Sequence, residues 1–553
     1  MPKTDELSLT FGLGKFLKAV STRLDDWRKH RFLPRLWEKD PMLWASGPVP
    51  EIADRLGWLD LPRAMAGRLV SIMDFAEEIK AEGFRHVVLL GMGGSSLGPD
   101  VFQKTFGSAP GCPEMIILDS THPAAVSAGE KRINVRRTVF IVSSKSGTTI
   151  EPLSLFRYFW TAAGRAMPDP GRHFIAITDP GSLLANQAGE RKFRRIFLAD
   201  PNVGGRFSAF TEFGLVPAAL IGVDIGRLLE RGLVEAVSHS PAAREDTAPD
   251  LRLGAVLGEI GLKRDKLTIL TSPRLKSFPD WLEQLIAESL GKDGRGILPI
   301  AGEPAVPAAD YGNDRFFAAL ILDGDDNEEL ENRLIDLEKS GFPVIRIRLA
   351  DFYDLGREIF RWEIATAAAA AVLRVHPFNQ PDVELAKNLA RKAMAAAPHA
   401  HQGAPADEAI PADGGSEALA DFLAQAQPGD YVAIQAFLNP DAATENALNE
   451  LRRVILEKTH VATTLGFGPR FLHSTGQYHK GGPNEGLFIQ FVDEPAADLP
   501  VPETDFTFGQ LIRAQAAGDA QALRTAGRRV LRVNLGRDAV KSLEKMGVAS
   551  TIR

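Results

Sequence analysis

The chain has 553 residues, with 64 Lys+Arg against 71 Asp+Glu for a net charge of −7, and one cysteine, Cys112. That balance gives no basic face for nucleic acid, a lone cysteine excludes an intrachain disulfide framework or a cysteine zinc cluster, and no apolar run reaches the roughly 18 residues of a membrane span. With 44% apolar and 24% charged residues, the composition is that of a globular protein of about three or four units, and the N-terminal MPKTDELSLTF lacks a secretion signal, so a cytoplasmic location is expected.

Residues 1–83 read as a helical N-terminal region. Phe16, Val20, Leu24 and Trp27 recur at helical spacing, as do Met65, Leu69, Ile72, Ala76 and Ile79, with Pro34, Pro41 and GPVP breaking the pattern between them. Short apolar runs then appear at 86–92, 115–120, 138–144, 173–179 and 195–200. Helix-length segments separate most of them, which predicts a helix-covered parallel sheet over 84–225. A second series at 266–272, 316–324 and 343–350, followed by the helix former FRWEIATAAAAAVLRV, predicts a second such domain over 226–392. Residues 393–429 are dense in Ala, Pro and Gly without an apolar period, and read as a linker or mobile loop. Runs at 430–438, 461–467, 486–493 and 529–535, with a helix over 444–459, make 430–553 a C-terminal αβ segment. The fold class is α/β.

Two segments carry chemistry. In HVVLLGMGGSSLGPDVFQ a strand ends in a Gly-rich turn before a helix. Gly91, Gly93 and Gly94 permit backbone approach that a Cβ would forbid, and the helix start offers free N–H groups to an anion. Gly91, Gly93 and Gly98 partly imitate a dinucleotide fingerprint, with Asp119 as the ribose acid, but Ser96 stands where the third glycine belongs. A plain tight turn is the other reading. In VSSKSGTTIEPLSLF, Ser143, Ser144, Ser146, Thr148 and Thr149 bunch at a helix start. A simple cap needs one or two hydroxyls; five suit the oxygens of a phosphate monoester.

GMGGSSLGP and SSKSGTT together resemble the sugar isomerase (SIS) domain. NVGGRFSAFTEFGL, WLEQLIAESLGKDGRG, HPFNQPDVELAK and FLHSTGQYHKGG narrow the resemblance to the phosphoglucose isomerase family, nearest to the isomerase part of the bacterial bifunctional transaldolase/phosphoglucose isomerases. The resemblance implies two SIS-type domains and interconversion of glucose 6-phosphate and fructose 6-phosphate through a cis-enediol. No transaldolase region precedes the motifs, so isomerase activity alone is expected.

The resemblance also assigns roles. Glu288 is the base that moves a proton between C2 and C1. Arg206 steadies the enediolate. Lys387 works with a histidine at the ring oxygen. Gln284 and Gln380 contact substrate, and Ser144, Lys145, Ser146 and Thr149, with Gly94 and Ser95, hold the phosphate. In the familiar order the ring-opening histidine lies between the glutamate and the lysine; here only His376 does, outside the HS-x-GQ context, and the matching His473 follows Lys387. Either the His473 segment folds back onto the site, in its own or a neighbouring subunit, or the ring-opening role is carried differently; His479 is the fallback. HAH at 399–401 lacks acidic or cysteine partners, and no metal or other cofactor is expected. The partners implied are a small sugar phosphate and a second copy in a homodimer; the resemblance admits a functional association with a transaldolase. The rivals are an SIS isomerase or epimerase for another sugar phosphate, such as mannose 6-phosphate, and a non-catalytic SIS regulator. A dehydrogenase is the weakest.

Overall fold

In the computed structural model, which describes residues 8–47, 49–238, 248–396 and 409–547, the apolar runs form three five-stranded sheets. The strands are β1 (Leu9–Gly12), β2 (His86–Leu90), β3 (Glu114–Leu118), β4 (Thr138–Ser143), β5 (Phe174–Thr178), β6 (Arg195–Leu198), β7 (Lys266–Thr271), β8 (Leu298–Ile300), β9 (Arg315–Leu322), β10 (Val344–Leu349), β11 (Ile410–Pro411), β12 (Tyr431–Phe437), β13 (Ala462–Phe467), β14 (Gly486–Val492) and β15 (Arg529–Asn534). The orders are β3-β2-β4-β5-β6, β1-β10-β9-β7-β8 and β11-β15-β14-β12-β13. Every pairing is parallel except β1 with β10. The central strands β4, β9, β12 and β14 are buried along their whole length, which is why they read as continuous apolar runs rather than alternating ones.

This topology positions the site. The chain runs from β2 outward to β3 and then returns to the other side of β2 as β4. The loops leaving β2 and β4 therefore part at a topological switch point, where a crevice opens at the carboxyl ends of the strands. Those loops are the glycine turn and the hydroxyl-rich turn. One apolar core joins the N-terminal helices to the first two sheets, with Trp58 stacked on Phe207 at 5.0 Å. Gly254 and Gly258 let the helix Pro249–Gly261 lie close on the helix Leu355–Leu373, since a Cβ at either would strike Ala365 and Ala368 or Val372.

Two expectations need correction. The N-terminal region is not all helix: Leu9–Gly12 pairs antiparallel with β10 and edges the second sheet. Within 393–429, the described residues hold the end of a helix, Val383–Ala396, and a further helix, Ala412–Leu423, which buries Leu419, Phe422 and Leu423 against the third sheet. Residues 397–408, and HAH 399–401 with them, lie outside the described residues. The C-terminal αβ segment supplies β12 to β15 of the third sheet, which β11 completes, and shares one apolar core with the helix Ala412–Leu423. Among the described residues, no helix is long and apolar enough to cross a membrane.

Glu363, on the helix Leu355–Leu373, is fully buried and neither carboxyl oxygen has a hydrogen-bond partner among the described residues. Burial pushes its pKa well above the carboxylate range, so the fold holds a proton that the unfolded chain releases above about pH 4.3. Stability should therefore fall as pH rises from there towards the folded-state pKa. Glu363→Met, similar in length and apolar, is expected to raise stability at neutral pH by about 1–3 kcal/mol and to flatten that slope, measured by urea unfolding at several pH values.

Candidate active site

The glycine turn and the hydroxyl-rich turn form one side of the site, at the switch point. Gly93 takes φ +56°, and a Cβ there would lie 2.8 Å from the His473 carbonyl oxygen and 3.0 Å from Gln284 Nε2. At Gly94 a Cβ would overlap the Gly205 carbonyl. These glycines let the first turn touch both the GGR segment and the HST segment. The second turn ends in Thr149, the N-cap of the helix Ile150–Ala166, whose hydroxyl makes no capping bond. Ser146 Oγ and Thr148 Oγ1 lie 2.9 Å apart. Ser144 is 2% exposed and donates to Thr149 Oγ1 at 3.2 Å, so it acts from beneath the surface. Lys145 Nζ turns to Asp179 at 2.5 Å and to the Pro201 carbonyl at 3.3 Å, which Arg55 also reaches at 3.2 Å.

The opposite wall is the helix Phe278–Leu290. Asp280, Gln284 and Glu288 follow at four-residue steps and so share a face. Glu288 is buried, and its Oε2 accepts from Arg206 Nη1 at 3.3 Å and from Gln284 Nε2 at 3.4 Å. Burial raises its pKa, while Arg206, His473, Lys387 and Lys292 pull it back; a net rise is what a general base working near neutrality needs. Arg206 is also buried. It donates to Ser289 Oγ at 2.9 Å, Gln380 Oε1 at 2.7 Å and the carbonyls of Pro377 and Asn379 at 2.6 and 3.1 Å. Burial lowers its pKa despite Glu288, but a guanidinium stays charged.

His473 reaches this wall from the third sheet, in its own chain. Gln284 Nε2 donates to its carbonyl at 2.7 Å, and its Nε2 lies 3.0 Å from Glu151 Oε1. Burial works against ionising Glu151, yet the imidazole beside it prevails and the carboxyl sits below its ordinary range. An ionised carboxylate only accepts, so the shared proton belongs to Nε2 and Nδ1 is left for a ligand. Gln515 Nε2 also donates to Glu151 Oε1, at 2.7 Å, and its own oxygen accepts from Thr121 Oγ1 at 2.9 Å, which fixes how that amide faces. All these walls enclose one cavity of about 510 Å³, lined by Gly94, Ser95, Ser146, Thr149, Glu151, Arg206, Gln284, Glu288, Gln380, Lys387 and His473 among others.

The sequence of residues 71–296 matches the family described as phosphoglucose isomerase. The glucose-6-phosphate isomerase of Mycoplasmopsis pulmonis is 30% identical over 384 residues, covering 60% of this chain and 88% of that one. The chain belongs to the phosphoglucose isomerase family. The glucose-6-phosphate isomerase of Campylobacter jejuni is 28% identical over 55% of this chain and 84% of its own. Among solved structures, a hypothetical protein of Thermus thermophilus superposes with a TM-score of 0.60 at 25% identity, over 70% of this chain and all of that one. A glucose-6-phosphate isomerase of Chlamydia trachomatis shares the fold, with a TM-score of 0.52 at 19% identity over 67% of this chain and 78% of that one.

For a phosphoglucose isomerase family member, most residues named from the sequence converge on the cavity. Lys387 lines it from the helix Val383–Ala396, 35% exposed and 2.7 Å from Glu384 Oε1. Ser144 and Lys145 stand apart in kind: the first is hidden behind Thr149, the second is occupied by Asp179. His376 bonds the Pro50 carbonyl at 3.1 Å, and His479 is buried among Tyr431, Phe471 and Phe488; neither lines the cavity. Burial also drives the His479 pKa well below its ordinary value. Sequence reasoning missed Glu151, Gln515 and Arg55. Glu151 had one usable signal, an acid set directly behind a phosphate-type loop, where it would repel the anion unless a cation neutralised it. Gln515 had none.

Proposed function

We propose that the chain is a glucose-6-phosphate isomerase, converting glucose 6-phosphate and fructose 6-phosphate reversibly through a cis-enediol. The observation that carries this reading is the meeting of Glu288, Arg206 and His473 in one cavity with the hydroxyl-rich turn. The phosphate is held by Ser146, Thr149 and the N–H groups of the helix start, with Ser144 orienting Thr149. Lys387 gives a proton to the ring oxygen while Nδ1 of His473, oriented by Glu151, takes one from the anomeric hydroxyl, which opens the sugar. Glu288 removes the proton from C2 and returns it to C1. The charge that develops on the enediolate oxygens faces the Arg206 guanidinium, which Ser289, Gln380 and two carbonyls hold rigid before the reaction starts. A regulator that only senses sugar phosphates would need the phosphate turn, not a buried carboxylate with a raised pKa beside a buried arginine.

The decisive assay follows glucose 6-phosphate formation from fructose 6-phosphate, with mannose 6-phosphate as the competing substrate; turnover of the latter alone would replace this reading with an epimerase or a different aldose isomerase. Replacing Ser144, Ser146 and Thr149 together by Ala is expected to raise KM roughly 10²–10⁴-fold, since two bonds to a charged phosphate are lost, each worth about 1.5–3 kcal/mol. An unchanged KM in a folded variant would remove the phosphate assignment. A cytoplasmic location, a homodimer and an association with transaldolase belong to the same reading. The dimer is checked by sedimentation equilibrium.

A further inference from the structure

Three residues before His473, Arg470 opens the short 3-10 turn Arg470–His473 that leaves β13. Its Nη2 donates to Asp100 Oδ2 at 3.1 Å and Asp280 Oδ2 at 3.2 Å, and its Nε lies 3.4 Å from Asp119 Oδ2. The three carboxylates come from different places. Asp100 is on the helix Leu97–Phe106 that follows the glycine turn, Asp119 lies just beyond β3, and Asp280 is on the helix that carries Gln284 and Glu288. Lys104 also pairs with Asp100, at 2.9 Å. Two cations thus face three carboxylates, and burial pushes the pKa of both Asp119 and Asp280 upward.

We propose that Arg470 is the positioning residue for His473: it clips the histidine's turn to the helix of the base, so that ring opening and proton transfer are held in one register. The turn is tied to that helix twice, through the Arg470 side chain at its start and through the Gln284 amide on the His473 carbonyl at its end. Both ties land on the face that bears Glu288, so the imidazole and the carboxylate share one rigid reference. A planar guanidinium can reach three carboxylates in different directions; a lysine ammonium, a point charge on a flexible stem, cannot fix an angle in the same way. A displacement of about 1 Å at a reacting group can cost about 10²-fold in rate. This proposal rests on His473 as the ring-opening residue.

The test compares Arg470→Lys and Arg470→Met on two substrates: cyclic fructose 6-phosphate and 5-deoxyfructose 6-phosphate, which lacks the hydroxyl that closes the ring. On the cyclic substrate, kcat is expected to fall about 10–10²-fold, less for Lys than for Met, with KM little changed. On the open-chain substrate both variants should stay near the parent. Placed in a His473→Ala background, Arg470→Met should add no further loss on the cyclic substrate, because its effect passes through the imidazole. Equal losses on both substrates, an additive loss in that background, or full activity would each overturn the proposal. If His473→Ala itself spares cyclic turnover, the reading of His473 falls and this proposal with it; if His473→Ala is selective but the Arg470 variants are not, only this proposal falls. Should Arg470→Met not fold, Asp280→Asn removes one tie while leaving the arginine, and the same selectivity for cyclic substrate, at smaller size, is expected.

Discussion

Glu288→Gln is expected to lower isomerisation of fructose 6-phosphate by about 10²–10⁴, with KM close to the parent. The amide keeps the size of the side chain and can still meet Arg206 and Gln284, but it has no basic oxygen to take the C1 proton of the ketose and hand it to C2. The proposed phosphate grip is the turn before the helix Ile150–Ala166, on the other wall of the cavity, so substrate should still bind. A second readout is exchange of a C1 hydrogen of fructose 6-phosphate with deuterated solvent, which should stop together with turnover. The pH profile adds a sign. Burial raises the Glu288 pKa, and the base works only when ionised, so the acid limb of kcat/KM should lie above the ordinary carboxylate range and disappear in the variant. Retained turnover with retained exchange would assign the base elsewhere.

The second large effect is expected at His473. His473→Ala should cost about 10²-fold or more on cyclic fructose 6-phosphate and little on 5-deoxyfructose 6-phosphate, which arrives already open. Glu151 holds Nε2 of the imidazole, which leaves Nδ1 to exchange a proton with the sugar. Glu151→Gln tests that orientation separately. It should lose part of the same cyclic-substrate activity, since an amide can donate to the wrong nitrogen, while open-chain turnover persists. Equal losses on both substrates for His473→Ala would mark it as a structural residue.

Much of this arrangement was legible before any coordinates. Continuous apolar runs announced buried parallel strands, and five hydroxyls, more than a helix cap uses, marked the turn after β4 as a candidate anion site. What escaped has physical causes. Leu9–Gly12 becomes a strand only by pairing with β10, across more than half the chain. The three-residue β8 is too short to show a period. In Ala412–Leu423, two glycines and three alanines dilute the pattern, and only packing against the third sheet reveals the apolar stripe of Leu419, Phe422 and Leu423. Likewise, neither the Glu151–His473 pair nor the Arg470 cluster can be read from spacing, because their members meet only after all three sheets have docked.

That docking order has a consequence for synthesis. The phosphate turn, Arg206 and Glu288 leave the ribosome well before His473, which sits on the third sheet, and Gln515 comes later still. At about 5–20 residues per second, the interval between base and histidine is on the order of ten seconds. A chain halted in that window would carry the proposed base without the residue proposed to open the ring. Incomplete translation products of this protein would therefore be inert towards the cyclic sugars that dominate the substrate pool, and catalysis would begin only when the last sheet closes over the site.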